Sequence, residues 1–415
     1  MDTTMPHGEP LHRWIRDSTN NSAMRKHYHY KPNELVVGED DRPRVTQALE
    51  RRGMGVEVAA PLDGLGVCVL RLLRLEKSGA TVPSIVRELR EAWRPSVPKV
   101  GPNHVFRLLT HTMLTVFPPH PPSGNPDFSI PPAAKGAPPV VVGLLDSGFD
   151  PDNARLAASC SGDEERPPQA GGPLPLGAGH GTFIAGKLLQ EAPDVTIEVR
   201  DVIEATGHVD DGKLADTIKK LADLEHAGVL MISVGSPTED DAGALAVQDA
   251  LNYVRFNHPE IVVVAPAGND ASDRPIFPAA YKGVIGVGAV ENVKGEWQPA
   301  CFTSRGWWVD ACAPGVDVLG PFFHYEGTLA TPNKLPKHIV QKCGRSIGGV
   351  DLTAAGRQVE DFDGVAQWSG TSVAAPLVAG RIAAERQAGY GADEAVSRVL
   401  GKSGKSIPGL GMLVT

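Results

Sequence analysis

Three residues whose side chains can together turn a hydroxyl into a nucleophile stand far apart in this 415-residue chain, each in a segment of distinctive composition. Ser372 lies in Gly370-Thr371-Ser372-Val373-Ala374-Ala375-Pro376, between small residues where a helix is expected to begin. His180 lies in Gly179-His180-Gly181-Thr182, and Asp146 follows the apolar run Val140–Leu145 and precedes Ser147-Gly148. A serine hydroxyl is a poor nucleophile until a neighbouring base takes its proton during attack on a carbonyl. His180 can be that base, and Asp146 can orient its ring and stabilise the imidazolium that forms. Taken singly, the three would be a helix-capping serine, a strand-end aspartate and a surface histidine. Their company and their order carry the reading.

Asp, then His, then Ser is one of three unrelated chain orders of this triad, and all three local contexts resemble the subtilisin-like serine proteases (subtilases). The resemblance implies a serine endopeptidase that acts on peptide or protein substrates through an acyl-enzyme. It further implies that Asn269, in Ala265-Pro266-Ala267-Gly268-Asn269-Asp270, donates its side-chain amide to the developing oxyanion beside the backbone N–H of Ser372. Without the resemblance Asn269 reads as a turn residue. Ile232-Ser233-Val234-Gly235-Ser236 is similar to the family's substrate-pairing strand, so Ser233, Val234 and Gly235 are expected to bind the peptide backbone. Ala265, Pro266 and Ala267 would form the facing wall of the first specificity pocket, with proline at 266 where the family usually has a small residue. The segments 277–281, 302–306 and 313–316 also resemble structural parts of subtilases.

The resemblance covers about residues 140–320 and 362–400. An insertion at about 320–361, carrying His324, His338 and Cys343, departs from it and reads as a surface loop. Calcium commonly stabilises subtilases, but no carboxylate-rich loop here calls for a site, and no other cofactor or metal is expected. A catalytically silent peptide-binding module on the same scaffold is the alternative, and the four retained residues argue against it. An α/β-hydrolase is disfavoured by the chain order and by the lack of a G-x-S-x-G elbow. A serine-carboxyl peptidase would carry a carboxylate where His180 stands.

The elements that must position these residues are legible as alternating patterns. Val140–Leu145, Thr196–Val199, Val229–Val234, Ile261–Ala265 and Val284–Val290 read as parallel strands buried on both faces, with helical stretches at 180–189, 212–227 and 242–257 between them. That alternation predicts an α/β fold: a doubly wound, mostly parallel sheet with helices on both faces over 140–415. Asp146 would then emerge at the carboxyl edge of the sheet. Ser372 would open a helix with Ala375, Val378, Ala379 and Ile382 on its inner face and Pro376 in its first turn.

Ahead of this lie three further divisions. Residues 1–33 read as a flexible leader, its His27-Tyr28-His29-Tyr30 cluster included. Residues 34–117 read as a small α/β sandwich of ferredoxin-like, split-βαβ type, with strands at Leu35–Val37, Gly66–Leu72 and Val105–Leu109 and helices at Arg42–Arg52 and Val82–Trp93. Its segment Val100–Val105 is similar to the last strand of subtilase propeptides, which chaperone folding and inhibit the active site. Residues 118–139, rich in proline, read as an extended linker. Residues 1–138 carry 18 basic and 14 acidic side chains, and the remainder 22 and 35, so front and back would attract one another.

A net charge of −9 argues against a nucleic-acid partner. The longest apolar runs are of strand length, too short to span a bilayer, and the N-terminus has no signal-peptide core. Five cysteines without metal or redox spacing suggest free thiols, and with them a cytoplasmic location.

Overall fold

The computed structural model describes residues 28–108, then 118–329 apart from 125, 127, 134–135, 137, 169–170, 176 and 204–206, and 337–415 apart from 345, 348–349 and 352–358. The runs rich in Val, Ile and Leu form the middle of one sheet. Across it lie Gly411–Leu413, Ala311–Pro314, Val284–Val293, Val262–Pro266, Ala227–Ile232, Val141–Asp146, Thr196–Asp201 and Cys160–Gly162, every neighbouring pair parallel. All six residues of Ala227–Ile232 are buried, because helices cover both faces. On one face His180–Glu191 and Thr371–Gln387 bring Phe183, Leu188, Val378 and Ile382 into a common core. On the other, Asp211–Ala222 and Leu245–Asn257 bring Leu214, Ile218, Val247 and Leu251 into a second one. The helix expected to reach 227 stops at Ala222, since the chain turns through His226 in the left-handed region (φ 63°) before the next strand begins at Ala227.

Residues 30–108 build a separate antiparallel sheet in the order Val100–Leu108, Tyr30–Gly38, Val67–Leu73, Gly55–Leu62, which is the split-βαβ order. Strand alternation explains how it is used. Leu35, Val37, Cys68, Leu70 and Leu72 face the module's own helices, Arg42–Glu50 and Val82–Ala92. Their neighbours Val36, Val67 and Val69 share a core with the helices Asp211–Ala222 and Leu245–Asn257 of the larger body. Strand Gly55–Leu62 is absent from the sequence reading because it is largely half-buried or exposed and shows no apolar alternation. The strand Tyr30–Gly38 also takes in residues assigned to a flexible leader. Tyr28 and Tyr30 are buried, so the leader ends earlier than residue 33, and its first 27 residues lie outside those described.

The module's last strand reaches into the body, pairing antiparallel with Val234–Gly235 (Leu108 opposite Val234, Arg107 opposite Gly235) and with His208–Asp210. Residues 109–117 lie outside the described set. The Pro-rich segment that follows lies along the body where it is described. His120 exchanges backbone hydrogen bonds with Gln367 (3.0 and 2.8 Å), and Phe128 is buried, its carbonyl accepting from Arg155 Nε at 3.1 Å.

Two expectations need correction here. The ends of the 320–361 insertion are not surface loop: Val318–Thr328 pairs antiparallel with Val359–Trp368, and Phe322, Phe323, Tyr325 and Phe362 enter the core, as apolar residues of that size must. The cysteines are not all free thiols either. Cys301 and Cys343 form a disulfide across a separation of 42 residues, a proximity that sequence spacing cannot reveal, while Cys68, Cys160 and Cys312 are unpaired.

Candidate active site

Each proposed chemical group sits at the end of an element. Asp146 is the last residue of Val141–Asp146, at the carboxyl edge of the sheet, and the N–H of Ser147 donates to its Oδ1 at 2.7 Å. His180 is the first residue of its helix, held between two glycines that nothing larger could replace. Gly179 is left-handed (φ 75°), and a Cβ on it would lie 2.4 Å from the Phe322 ring; a Cβ on Gly181 would lie 2.1 Å from the Ser147 carbonyl oxygen. Ser372 is the second residue of Thr371–Gln387. Pro376 lies deeper in that helix than its first turn, so the helix offers no N–H to the Ser372 carbonyl one turn back.

These three residues meet. His180 Nδ1 lies 2.7 Å from Asp146 Oδ1, and His180 Nε2 lies 3.0 Å from Ser372 Oγ. All three side chains are buried, and the imidazole stands edge-on to Trp368 with ring centres 5.1 Å apart. With Nδ1 protonated and donating to the carboxylate, Nε2 is free to accept the serine proton.

Asn269 follows strand Val262–Pro266 and is buried against the start of the Ser372 helix. Its Oδ1 accepts from the Thr371 N–H at 2.8 Å and from Thr371 Oγ1 at 2.9 Å, which identifies the opposite arm of the amide as the donor Nδ2. Thr371 Oγ1 in turn accepts from the Gly268 N–H at 3.2 Å. The loop beyond is clipped as well. Ala271, left-handed at φ 48°, donates its N–H to the Phe302 carbonyl at 2.7 Å, and its own carbonyl accepts from Lys342 Nζ at 2.5 Å. The disulfide joins the neighbours of those two partners, Cys301 and Cys343.

Ser233, Val234 and Gly235 lie beside the site at the end of Ala227–Ile232, and the module's last strand occupies the edge of Val234–Gly235. Ala265, Pro266 and Ala267 are buried at the end of the adjacent strand, with Pro266 opposite Val287. Trp368 and Thr371 were missed by sequence reasoning, although both lie within five residues of Ser372. Among the described residues no group of three or more His, Cys, Asp or Glu side chains is arranged to hold a metal ion, and no helix is long and apolar enough to cross a membrane.

Residues 138–400 match the Subtilase family. The chain is 32% identical over 217 residues to a subtilisin of Bacillus pumilus, covering 47% of this chain and 73% of that protein. It is equally similar, at 32% over 217 residues, to subtilisin E of Bacillus subtilis, of whose length it spans about half (53%). In three dimensions it superposes on the crystal structure of fervidolysin from Fervidobacterium pennivorans with a TM-score of 0.61 at 19% identity, over 93% of this chain and 60% of that one.

Proposed function

The chain belongs to the subtilase family, and we propose that it is a serine endopeptidase made as a zymogen, restrained by its own N-terminal module. The observation that carries the reading is the pair of contacts made by one imidazole, 2.7 Å to the carboxylate of Asp146 and 3.0 Å to the hydroxyl of Ser372. Ser372 Oγ attacks the scissile carbonyl while His180 Nε2 takes its proton, and Asp146 holds the ring and offsets the charge it gains. The carbonyl oxygen, now negative, is met by Asn269 Nδ2 and the Ser372 N–H. His180 then returns the proton to the leaving amine, and water, activated the same way, releases the acyl group from Ser372.

Restraint rests on what the module covers. Its last strand adds to the edge of Val234–Gly235 as an extended peptide substrate would, main chain to main chain. Ion pairs Lys99–Asp249 and Arg90–Glu239 at 2.6 and 3.2 Å join the two parts, and Lys31–Asp210 lies at 3.9 Å. Since Leu108 pairs on one side of the site and His120 pairs with Gln367 next to Trp368, the bond cut on activation falls between these two residues.

Intact-mass spectrometry of the full chain over time, beside Ser372→Ala, tests both statements. Loss of a fragment ending between Leu108 and His120, from the wild type alone, is the expected result. A wild type that stays whole and is not labelled by a fluorophosphonate would refute the reading.

A further inference from the structure

We propose that Glu165, fifteen residues before His180 and outside every motif that marks the site, is a positioning residue that fixes the catalytic histidine and aspartate relative to one another. The inference rests on the peptidase reading above. Glu165 Oε2 accepts from the Gly179 N–H at 3.1 Å and from Ser147 Oγ at 2.8 Å. Ser147 Oγ accepts in turn from the Gly181 N–H at 3.0 Å, while the Ser147 N–H holds Asp146 Oδ1 at 2.7 Å. One carboxyl group therefore brackets His180 through the backbone on both sides, and through Ser147 it reaches the residue that orients Asp146. These N–H groups belong to the first turn of the helix that His180 opens, where donors lack intrahelical partners and must find acceptors elsewhere.

The carboxyl group is itself fixed. The Glu165 N–H donates to the Phe149 carbonyl at 2.7 Å and the Phe149 N–H to the Asp163 carbonyl at 3.1 Å, zipping the Glu165 loop to the turn that follows Asp146. The two segments are so close that a Cβ on Gly148 would lie 2.7 Å from the Glu164 carbonyl carbon. Burial pushes the Glu165 carboxyl up to about 8, with Asp146 and Asp201 adding to the shift, so near neutral pH it accepts both bonds without setting a second full negative charge beside the catalytic carboxylate. What the site uses is an acceptor of fixed position, which a glutamine also supplies.

The test compares the first-order rate of self-cleavage of the full chain in the wild type, Glu165→Gln and Glu165→Ala, with unfolding midpoints measured alongside. Glu165→Gln should stay within about threefold of wild type, while Glu165→Ala should fall by roughly 10- to 100-fold, as misplacement of a reacting group does. Equal rates in wild type and Glu165→Ala would overturn the inference, and so would an equal fall in both variants, since rescue by the neutral isostere is its mark. Should Glu165→Ala fail to fold, Ser147→Ala removes the hydroxyl relay to Gly181 and must also slow cleavage, or the bracket does no positioning. A wild-type chain that neither cleaves itself nor is labelled by a fluorophosphonate removes the peptidase reading instead, and the inference with it. In a chain that is labelled without cleaving itself, the labelling rates of the same variants are compared, with the same outcomes.

Discussion

Two buried histidines divide the work of this molecule, and their surroundings differ in the way their tasks require. His180 faces a carboxylate on one nitrogen and a hydroxyl on the other, so it is placed to gain a proton and give it back. His104, on the strand that joins module to body, instead accepts the Glu239 N–H at Nε2 (3.0 Å) and lies near Arg90. Burial and that guanidinium push its imidazole down to about 3, so it sits in the joint as a neutral acceptor. The first histidine opens a helix that packs against one face of the parallel sheet. The second is held by a joint of two short strand pairings, a shared apolar face and a few ion pairs. On the function proposed above, the catalytic region must stay as it is, and the joint must be able to open.

If that division is right, two asparagines with buried, hydrogen-bonded amides should respond oppositely to the same substitution. Asn269→Ala removes an oxyanion donor and should lower kcat by about 10²–10³ with little change in KM. Asn103, whose Nδ2 donates to Glu34 Oε2 at 2.8 Å within the module and lies 3.4 Å from Asp210 Oδ1 across the joint, leaves with the module, so Asn103→Ala should weaken the module's inhibition of the released enzyme and cannot touch kcat. Steady-state kinetics on one peptide substrate decide the matter. An Asn103→Ala module that inhibits as tightly as the wild-type module, or an Asn269→Ala enzyme that keeps its kcat, would erase the distinction between the regions.

The joint should also be the acid-sensitive part. Bound, His104 is held far below the ordinary histidine value, whereas in a released module it regains a pKa near ~6.5, so release takes up a proton. The histidine's contribution to binding is fully present above that value and declines as pH falls through it, weakening the module's grip about tenfold per pH unit. Glu239, raised by its burial, titrates in the opposite sense between its free and bound values, and the Tyr28 hydroxyl donates to its Oε1 at 3.3 Å. Inhibition constants for the module between pH 7 and pH 5, for wild type and His104→Gln, separate these effects. A wild-type slope no steeper than that of His104→Gln would remove His104 from the account.

The two regions were unequally legible in the sequence. The triad could be read because each member lies in a short run whose small residues answer a local need: Gly179 and Gly181 flank His180 where a Cβ would collide, and apolar β-branched residues lead into Asp146. The parallel strands could be read for the same reason, since burial on both faces leaves no polar interruption. What could not be read depends on residues brought together from afar. The strand Gly55–Leu62 has no alternation to betray it, and the tyrosines at 28 and 30 look polar until the module's own core takes them in. The disulfide and the Glu165 bracket join segments that only the finished fold brings into contact. The basic front and acidic back were visible as counts, and became ion pairs only once the module had a seat.

Those ion pairs supply the smallest and most discriminating test. Lys99 Nζ lies 2.6 Å from Asp249, but the lysine side chain is 42% exposed, so water and salt screen the attraction and holding the long side chain costs entropy. Lys99→Ala should weaken inhibition by the module only about two- to fivefold, corresponding to roughly 0.4–1 kcal/mol. The effect should shrink further as salt is raised toward ~1 M, where the screening length falls to a few ångströms. An effect of that size in the inhibition constant, fading as salt is raised, would place the charges where the joint needs them: guiding the module into register while the shared apolar face holds it. A much larger loss, insensitive to salt, would mean that the rim holds the module as firmly as its core. The contrast with the catalytic region would then have to be drawn elsewhere.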